Sequence, residues 1–373
     1  MLSSYRNCLL LGTNARTLIN FRGDLVKSLS NKNLHVILSS SKPDFSDLDV
    51  LKHLGNVEYR TIHLEKSGLK FYSDIKTLVN INSLIKKYKP RFILAYGIKL
   101  VIWGGVAARV TNTQFYALIT GLGFAFQGQS TKRRLLTKLV SFLYKVALRN
   151  SKAIIFQNED NLNFFIDKGI VPRSKTHIVN GSGVDIEKFY SARFLKSDVC
   201  FLCVSRLLGE KGLREYAVAA RIVKKKYPNV KFDLVGPQDL SPDAISLSEV
   251  SSWSDCIDYK GSTSDVRKYI KACHVFILPS YHEGLPRSTL EAMSMGRPIL
   301  TTNATGCKET VKEGINGFMV PIGSSKELAV KMIWYIENKD KIQSMGEESR
   351  KIVEKRFDVR KVNKEMMRIL GVE

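Results

Sequence analysis

The chain has 373 residues, 44% of them hydrophobic and 25% charged, with 58 lysines and arginines against 35 aspartates and glutamates. That length exceeds one ordinary core and suits two domains, and an ordinary composition without repeats or low-complexity tracts excludes a fibrous or disordered chain. The formal charge of +23 at pH 7 is compatible with nucleic acid, an anionic membrane or an acidic polymer as partner.

The N-terminus, MLSSYRNCLLLGTNAR, holds too short an apolar run for a signal peptide and leads into a first strand. Apolar runs and helix-like segments then alternate: NCLLLG, FRGDLVKSLSNKN, HVILSS, and later INSLIKKYKP, RFILAYG, QFYALIT and KAIIFQ. This order predicts a parallel sheet with helices on both faces. The longest apolar region, Phe92 to Val110, is broken by Lys99 and by glycines, so no spanning helix is expected. From Ile75 to Asn158 there are fourteen Lys/Arg and no carboxylate, which predicts one face of the first half kept free of negative charge.

The segment VNGSGVDIEKFYSARFLKSD is rich in Gly, Ser and charge and reads as a linker. After it the style repeats with VCFLCVS, LREYAVAARIVKKKYP, VKFDLVG, IDYKG, VRKYIKA, HVFILPS and PILTTN. Two doubly wound α/β domains in tandem follow, and ligands of such sheets bind at the carboxyl ends of strands, in a cleft if two domains face each other. Cys200 and Cys203 have metal or redox spacing, but they lie in a buried-strand pattern that points them to opposite faces, so the thiols are expected to be reduced.

Two strand ends carry chemistry. In HEGLPRSTLEA, His282 to Ala292, Pro286 suits a first helical turn, while Gly296 and Pro298 suit the helix end. Amides from Gly284 to Arg287 would then form an anion site reinforced by the helix dipole. Glu283 precedes that site and Glu291 lies about 7 to 8 Å inside the helix at 1.5 Å per residue. Carboxylates beside a phosphate suit neutral hydroxyls better than a second charge, so the pattern fits a nucleotide sugar. Upstream, SRLLGEKG places Arg206 at a strand end and Lys211 in the following loop, a fork and a point charge for a diphosphate. Each motif alone also has a plain structural reading, as a dipole complement or a solvated cation.

Taken together, SRLLGEKG, FILPSYHEGLPRSTLEAMSMGRPIL and TGCKETVKEGINGFMV resemble glycosyltransferase family 4, a retaining, metal-independent group with the GT-B fold, in which two Rossmann-like domains face a cleft. The resemblance implies that Arg206 and Lys211 bind the donor diphosphate, that Glu283 contacts the transferred sugar, that amides at Gly284 and Leu285 hold the phosphates, and that Glu291 holds the ribose. It implies catalytic roles for Arg206, Lys211 and Glu283, a UDP-sugar as co-substrate, and no metal or other cofactor. NFRGDLVKSLS, ITGLGFAF, IFQNEDNLNFFIDKGIV and NGSGVDIEKF are similar to bacterial members that assemble O-antigen, capsule or N-glycan saccharides on undecaprenyl diphosphate. That resemblance puts Asn20, Phe21 and Arg22 at the first strand's loop, near acceptor and donor phosphates. Thr120 and Gly121 stand where many members carry a histidine near the transferred sugar, so the contact would fall to Thr120 or to backbone. The expected domains are 1–183 for the acceptor, 184–357 for the nucleotide sugar, and a C-terminal helix in 358–373 returning to the first.

The segment Lys132 to Asn150 reads as an amphipathic helix. Arg134, Lys138, Lys145 and Arg149 share one side, with Leu135, Leu139, Phe142, Leu143 and Val146 beside them. It is expected to lie on an anionic membrane, although the apolar side packing on the sheet is the plainer reading. Asp47 and Asp49 have metal-binding spacing in a polar loop, and the six histidines have none. Tyr259 to Gly261 could offer backbone to a base. The expected function is transfer of an N-acetylhexosamine from UDP to a lipid-linked saccharide at the cytoplasmic face of the inner membrane. The rivals are a hexose donor or non-lipid acceptor, a sugar-nucleotide epimerase or phosphorylase, and a nucleic-acid binder; the last is disfavoured because the cations lack interleaved aromatics.

Overall fold

The computed structural model describes residues 7–65, 71–122, 126, 131–194 and 197–373. They form two compact units, one from the chain up to Ser182 together with Val362–Glu373, the other from Gly183–Lys361.

The first unit holds strands β1 (Asn7–Leu11), β2 (His35–Ser40), β3 (Val57–Thr61), β4 (Phe92–Tyr96), β5 (Gln114–Ile119), β6 (Ala153–Phe156) and β7 (Thr176–Ile178). Its helices are α1 (Ala15–Asn31), α2 (Phe45–Lys52), α3 (Phe71–Tyr88), α4 (Ile98–Val110), α5 (Thr131–Leu148) and α6 (Glu159–Asp167). The strands pair in parallel in the order β3-β2-β1-β4-β5-β6-β7. The near-continuous apolar runs are explained by cover on both faces. Leu9, Leu11, Ile93 and Ala95 meet α3 to α6 on one face, whereas Cys8, Leu10, Phe92 and Leu94 meet α1 and α2 on the other. The order reverses between β1 and β4, which makes their carboxyl ends the switch point where ligands of such sheets bind.

The second unit holds β8 (Cys200–Val204), β9 (Lys231–Val235), β10 (Asp258–Tyr259), β11 (Val275–Leu278), β12 (Ile299–Thr302) and β13 (Gly317–Val320). Its helices are α7 (Leu213–Lys224), α8 (Leu247–Ser251), α9 (Arg267–Ala272), α10 (Arg287–Ser294), α11 (Ser325–Glu337) and α12 (Lys339–Arg356). The parallel order β10-β9-β8-β11-β12-β13 puts this unit's switch point between β8 and β11. Cys200 and Cys203 are free thiols in the core of β8, and burial pushes the Cys203 thiol up to about 12. A final helix, α13 (Val359–Leu370), inserts Met366 and Leu370 into the α1–α2 side of the first unit's core.

The segment read as a linker is built into the second unit instead. Val184, Phe189 and Ala192 are buried in its core. Arg350 Nη1 donates to Phe189 O at 3.0 Å and Ser294 O at 2.7 Å, and fully buried Arg297 donates to Ala192 O at 2.9 Å. Gly and Ser composition signalled irregular backbone correctly; the apolar residues between them decided that it packs. Among the described residues no helix is long and apolar enough to cross a membrane.

Candidate functional site

Three loops gather at the carboxyl ends of β8, β11 and β12. The first is the 3-10 turn Gly209–Lys211, which follows β8 and ends at Gly212 with φ +69°. Only a residue without Cβ fits there: a Cβ on Gly212 would stand 2.0 Å from Pro279 O, so the turn lies directly on the β11 loop. Tyr281 N donates to Glu210 O at 2.9 Å, tying the same two loops. The third loop reaches over through Thr305 O, which accepts from Glu283 N at 2.9 Å, and Gly306 (φ +79°) makes room for the Glu283 carbonyl.

The meeting point of these loops is an ion pair. Lys211 Nζ donates to Glu283 Oε1 at 2.7 Å, and Ser280 Oγ donates to the same oxygen at 2.9 Å. The two side chains are 11% and 17% exposed, and Glu210 Oε1 lies 3.7 Å from the ammonium. Burial by itself would lower the Lys211 ammonium; the Glu283 carboxylate outweighs it and holds the group above the usual lysine value. Lys211 is therefore a fixed positive charge at neutral pH.

Arg206 stands just past β8, about half exposed, with Nη1 donating to Asp239 Oδ2 at 2.6 Å. Asp239 also accepts from Ser241 N at 2.8 Å. Desolvation raises its carboxyl, but the bonds from Ser241 and Arg206 prevail and hold it below the usual carboxylate range. The same β9 loop supplies Asp243, whose carbonyl accepts from Gly209 N at 2.9 Å and whose Oδ2 accepts from Glu210 N at 2.6 Å. Sequence reasoning missed Asp239, Asp243 and Ser280. The run PQDLSPDA shows only turn-forming residues, and its pairing with the β8 loop is a tertiary fact.

Helix α10 begins after Pro286, which occupies the cap position and offers no side-chain cap. Gly284 and Leu285 lead into it as bends, half-buried. The helix spans 8 residues rather than about ten, since the chain turns at Met295 and Gly296 takes φ +74°. Its N-terminal end, with the dipole's positive pole, comes three residues after Glu283. Glu291 sits one turn inside and accepts from Arg287 Nε at 3.0 Å. Burial raises the Glu291 carboxyl above its usual range, and Arg287 only partly offsets this. Thus Lys211 and Glu283 are brought into contact, Arg206 is braced at the same sheet edge, and Glu291 is held apart on α10. Gly261 after β10 has φ +73°, and Tyr259 Oη donates to Gly236 O at 2.8 Å.

In the first unit the expectation for the first strand's loop requires correction. Asn14 caps α1 by accepting from Thr17 N at 2.8 Å, and Thr17 completes a capping box. The loop is therefore only Gly12 to Asn14, and Asn20, Phe21 and Arg22 lie inside α1. Arg22 is 3% exposed and its guanidinium stands 5.7 Å over the Tyr96 ring, so it packs within the unit. Asn20 and Phe21 are exposed. Thr120 and Gly121 follow β5 at the carboxyl edge, half-buried. Arg134, Lys138 and Lys145 are exposed on α5, and Arg149 is exposed just past its end. Asp47 is paired with Arg16 at 3.4 Å and Asp49 with Lys52 at 3.0 Å. Among the described residues no three His, Cys, Asp or Glu side chains cluster as metal ligands would.

Two parallel-sheet α/β units each have a switch point at their strand ends, and the second carries there a lysine–glutamate pair near a helix start, an arrangement suited to an anionic ligand. Two family descriptions match the chain: "Glycosyl transferase 4-like" over residues 8–158 and "Glycosyl transferases group 1" over residues 186–352. The chain belongs to the glycosyltransferases that combine these two domains, and its fold is GT-B. It is 25% identical to the N,N'-diacetylbacillosaminyl-diphospho-undecaprenol alpha-1,3-N-acetylgalactosaminyltransferase of Campylobacter jejuni, covering 86% of this chain and 87% of that one. To the UDP-Gal:alpha-D-GlcNAc-diphosphoundecaprenol alpha-1,3-galactosyltransferase of Escherichia coli it is 27% identical, over 68% of each chain. Among solved structures, that of HepE from Anabaena with UDP and glucose superposes with a TM-score of 0.80 at 18% identity, covering 99% of this chain and 100% of that one.

Proposed function

We propose that this glycosyltransferase moves an N-acetylhexosamine, GalNAc or GlcNAc, from a UDP donor to a saccharide on undecaprenyl diphosphate, with retention at the anomeric carbon and without a metal. It acts peripherally at the cytoplasmic face of the inner membrane in surface polysaccharide or glycan assembly. The observation that carries the reading is the Lys211–Glu283 pair, closed at 2.7 Å where the β8 and β11 loops meet and adjoining the start of α10. The names of the Campylobacter and Escherichia relatives support the acceptor class.

In this mechanism the donor diphosphate takes the place of Glu283 as partner of Lys211. It gains Arg206 and the α10 amides as further donors, which meet the charge growing on the leaving oxygen. Glu283, released, accepts from hydroxyls of the transferred sugar, and Glu291 accepts from those of the ribose. As the anomeric C–O bond breaks, the acceptor hydroxyl adds on the same face and its proton passes to the leaving phosphate oxygen, so atoms and charge balance without a protein nucleophile. The test is UDP release from UDP-, GDP- and dTDP-sugars in the presence of an undecaprenyl-diphosphate-linked saccharide. Turnover with UDP-N-acetylhexosamine and an α-linked product is expected; release from another nucleotide alone, or a β-linked product, would overturn the proposal.

A further inference from the structure

The stretch without carboxylates, Ile75 to Asn158, has one address in the fold. It runs from α3 to just past β6, and α3, α4 and α5 lie on the same face of the first sheet, α4 packed against both of the others. On α5 the side chains divide into three arcs at 100° per residue. Val140, Tyr144, Ala147 and Leu148 are buried against the unit, and Arg134, Lys138, Lys145 and, just past the helix, Arg149 are exposed about 120° round from them. In the arc opposite the buried one, Leu135, Leu139 and Phe142 are 71%, 45% and 63% exposed. The apolar side of this helix is therefore split, and half of it does not pack on the sheet.

Helix α3 repeats the arrangement, with Tyr72, Ile75 and Val79 exposed and Lys76 beside them. Tyr72, Ile75 and Val79 lie in the N-terminal half of α3, and Leu135 and Leu139 in that of α5, with Phe142 about a turn further on. In a parallel α/β unit a helix starts where the preceding strand ends, so both strips lie towards the carboxyl edge of the sheet, where Thr120 and Gly121 stand. The C-terminal parts of the three helices carry Lys86, Lys87, Arg109, Lys145 and Arg149, all exposed.

We propose that this three-helix face is a docking surface for an anionic bilayer. Leu135, Leu139 and Phe142 enter the acyl region, and Arg134, Lys138, Lys145 and Arg149 engage headgroup phosphates. A second copy of the chain is disfavoured as occupant because the face would meet its own positive charge. Nucleic acid would satisfy the cations and leave the apolar strips in water. The surface deepens the proposed function, on which it rests for its purpose: it brings the acceptor edge of the sheet to the lipid, while bilayer binding itself needs neither substrate.

The experiment is co-sedimentation of the full chain with vesicles of phosphatidylglycerol and phosphatidylethanolamine, and with vesicles of phosphatidylcholine alone. Wild type is expected to prefer the anionic vesicles. Leu135→Ser with Leu139→Ser and Phe142→Ser, and separately Arg134→Glu with Lys138→Glu and Lys145→Glu, should each weaken binding about tenfold or more. Both variants should keep their thermal midpoint and their turnover of a short-chain, detergent-dispersed acceptor. Unchanged binding by the serine variant overturns the insertion, and equal binding to phosphatidylcholine overturns the headgroup contact. A concentration-dependent dimer abolished by the serine variant would reassign the face to a second copy, and tighter binding to RNA would reassign it to nucleic acid. If wild type turned over no lipid-linked acceptor but still bound vesicles, the proposed function would fail and the docking surface stand.

Discussion

At the scale of single residues, the site where the β8 and β11 loops meet is a set of charges held in pairs. Lys211→Ala removes the buried cation and should lower kcat by about 10²- to 10³-fold, the range found when one preorganised transition-state donor is lost; rates within twofold of wild type in single-turnover assays would sink its role. Asp239 and Asp243 act through their neighbours, so their amide variants should separate. Asp239→Asn loosens the hold on Arg206, which binds the diphosphate and meets the leaving charge in the proposed mechanism, and should raise KM for the donor and lower kcat together. Asp243→Asn weakens the bond to Glu210 N at 2.6 Å, displaces the Lys211 turn, and should lower kcat, with partial rescue by Asp243→Glu. Glu291 is different, because burial raises its carboxyl. The folded state then binds its proton more tightly than the unfolded chain, so its stabilising contribution is present below the unfolded pKa and lost as pH rises through the folded one. Glu291→Gln should melt higher than wild type near pH 7, with the gap closing below about pH 4, while donor affinity falls. A calorimetric series over that range that shows no gap would refute the assignment.

At the scale of elements, legibility followed how local the cause was. The strands were readable because β1, β4 and β11 are unbroken apolar runs, as burial on both faces demands. The start of α10 was readable to one residue from Gly-Leu-Pro. The start of α1 was equally local, since Asn14 and Thr17 spell a capping box. Passing over it displaced Asn20 to Arg22 into a loop that does not exist. By contrast, which half of the apolar side of α5 would pack depended on α4 and the sheet, and no wheel contains that information. The Lys211 turn offers a test at this scale. Gly212→Ala places a Cβ 2.0 Å from Pro279 O in a left-handed residue and should cost about 1–3 kcal/mol or more, with turnover falling further than stability explains. Melting and kinetics on one sample would check both.

At the scale of the whole molecule, the first unit is not continuous in sequence. Met366 and Leu370 are 0% and 1% exposed in its core, and Arg91 Nη2 donates to Gly371 O at 2.8 Å. Removing residues 362–373 takes Met366, Leu370 and Val372 out of that core, about 1.5–3 kcal/mol for each buried side chain, a large share of a typical domain's margin. The truncated chain should show early proteolysis confined to residues before 183, and adding the segment back as a peptide should slow it. Charge divides along the same lines: residues 1–195 hold 29 Lys/Arg against 12 Asp/Glu, whereas 196–373 hold 29 against 23. The asymmetry was legible in the sequence, while its concentration on one face of one sheet required the order in which α3, α4 and α5 pack.

The closed Lys211–Glu283 contact has a further consequence for selectivity. Glu283 is an anion tethered to its own receptor, present at an effective concentration that no dissolved monovalent ion approaches. Chloride or a single phosphate offers one interaction in exchange for the one it displaces. In the proposed mechanism a diphosphate would reach Lys211, Arg206 and the helix amides together, so it is the ligand that would open the pair. On that reading the resting site would act as a valency filter, favouring nucleotide diphosphates over simpler anions.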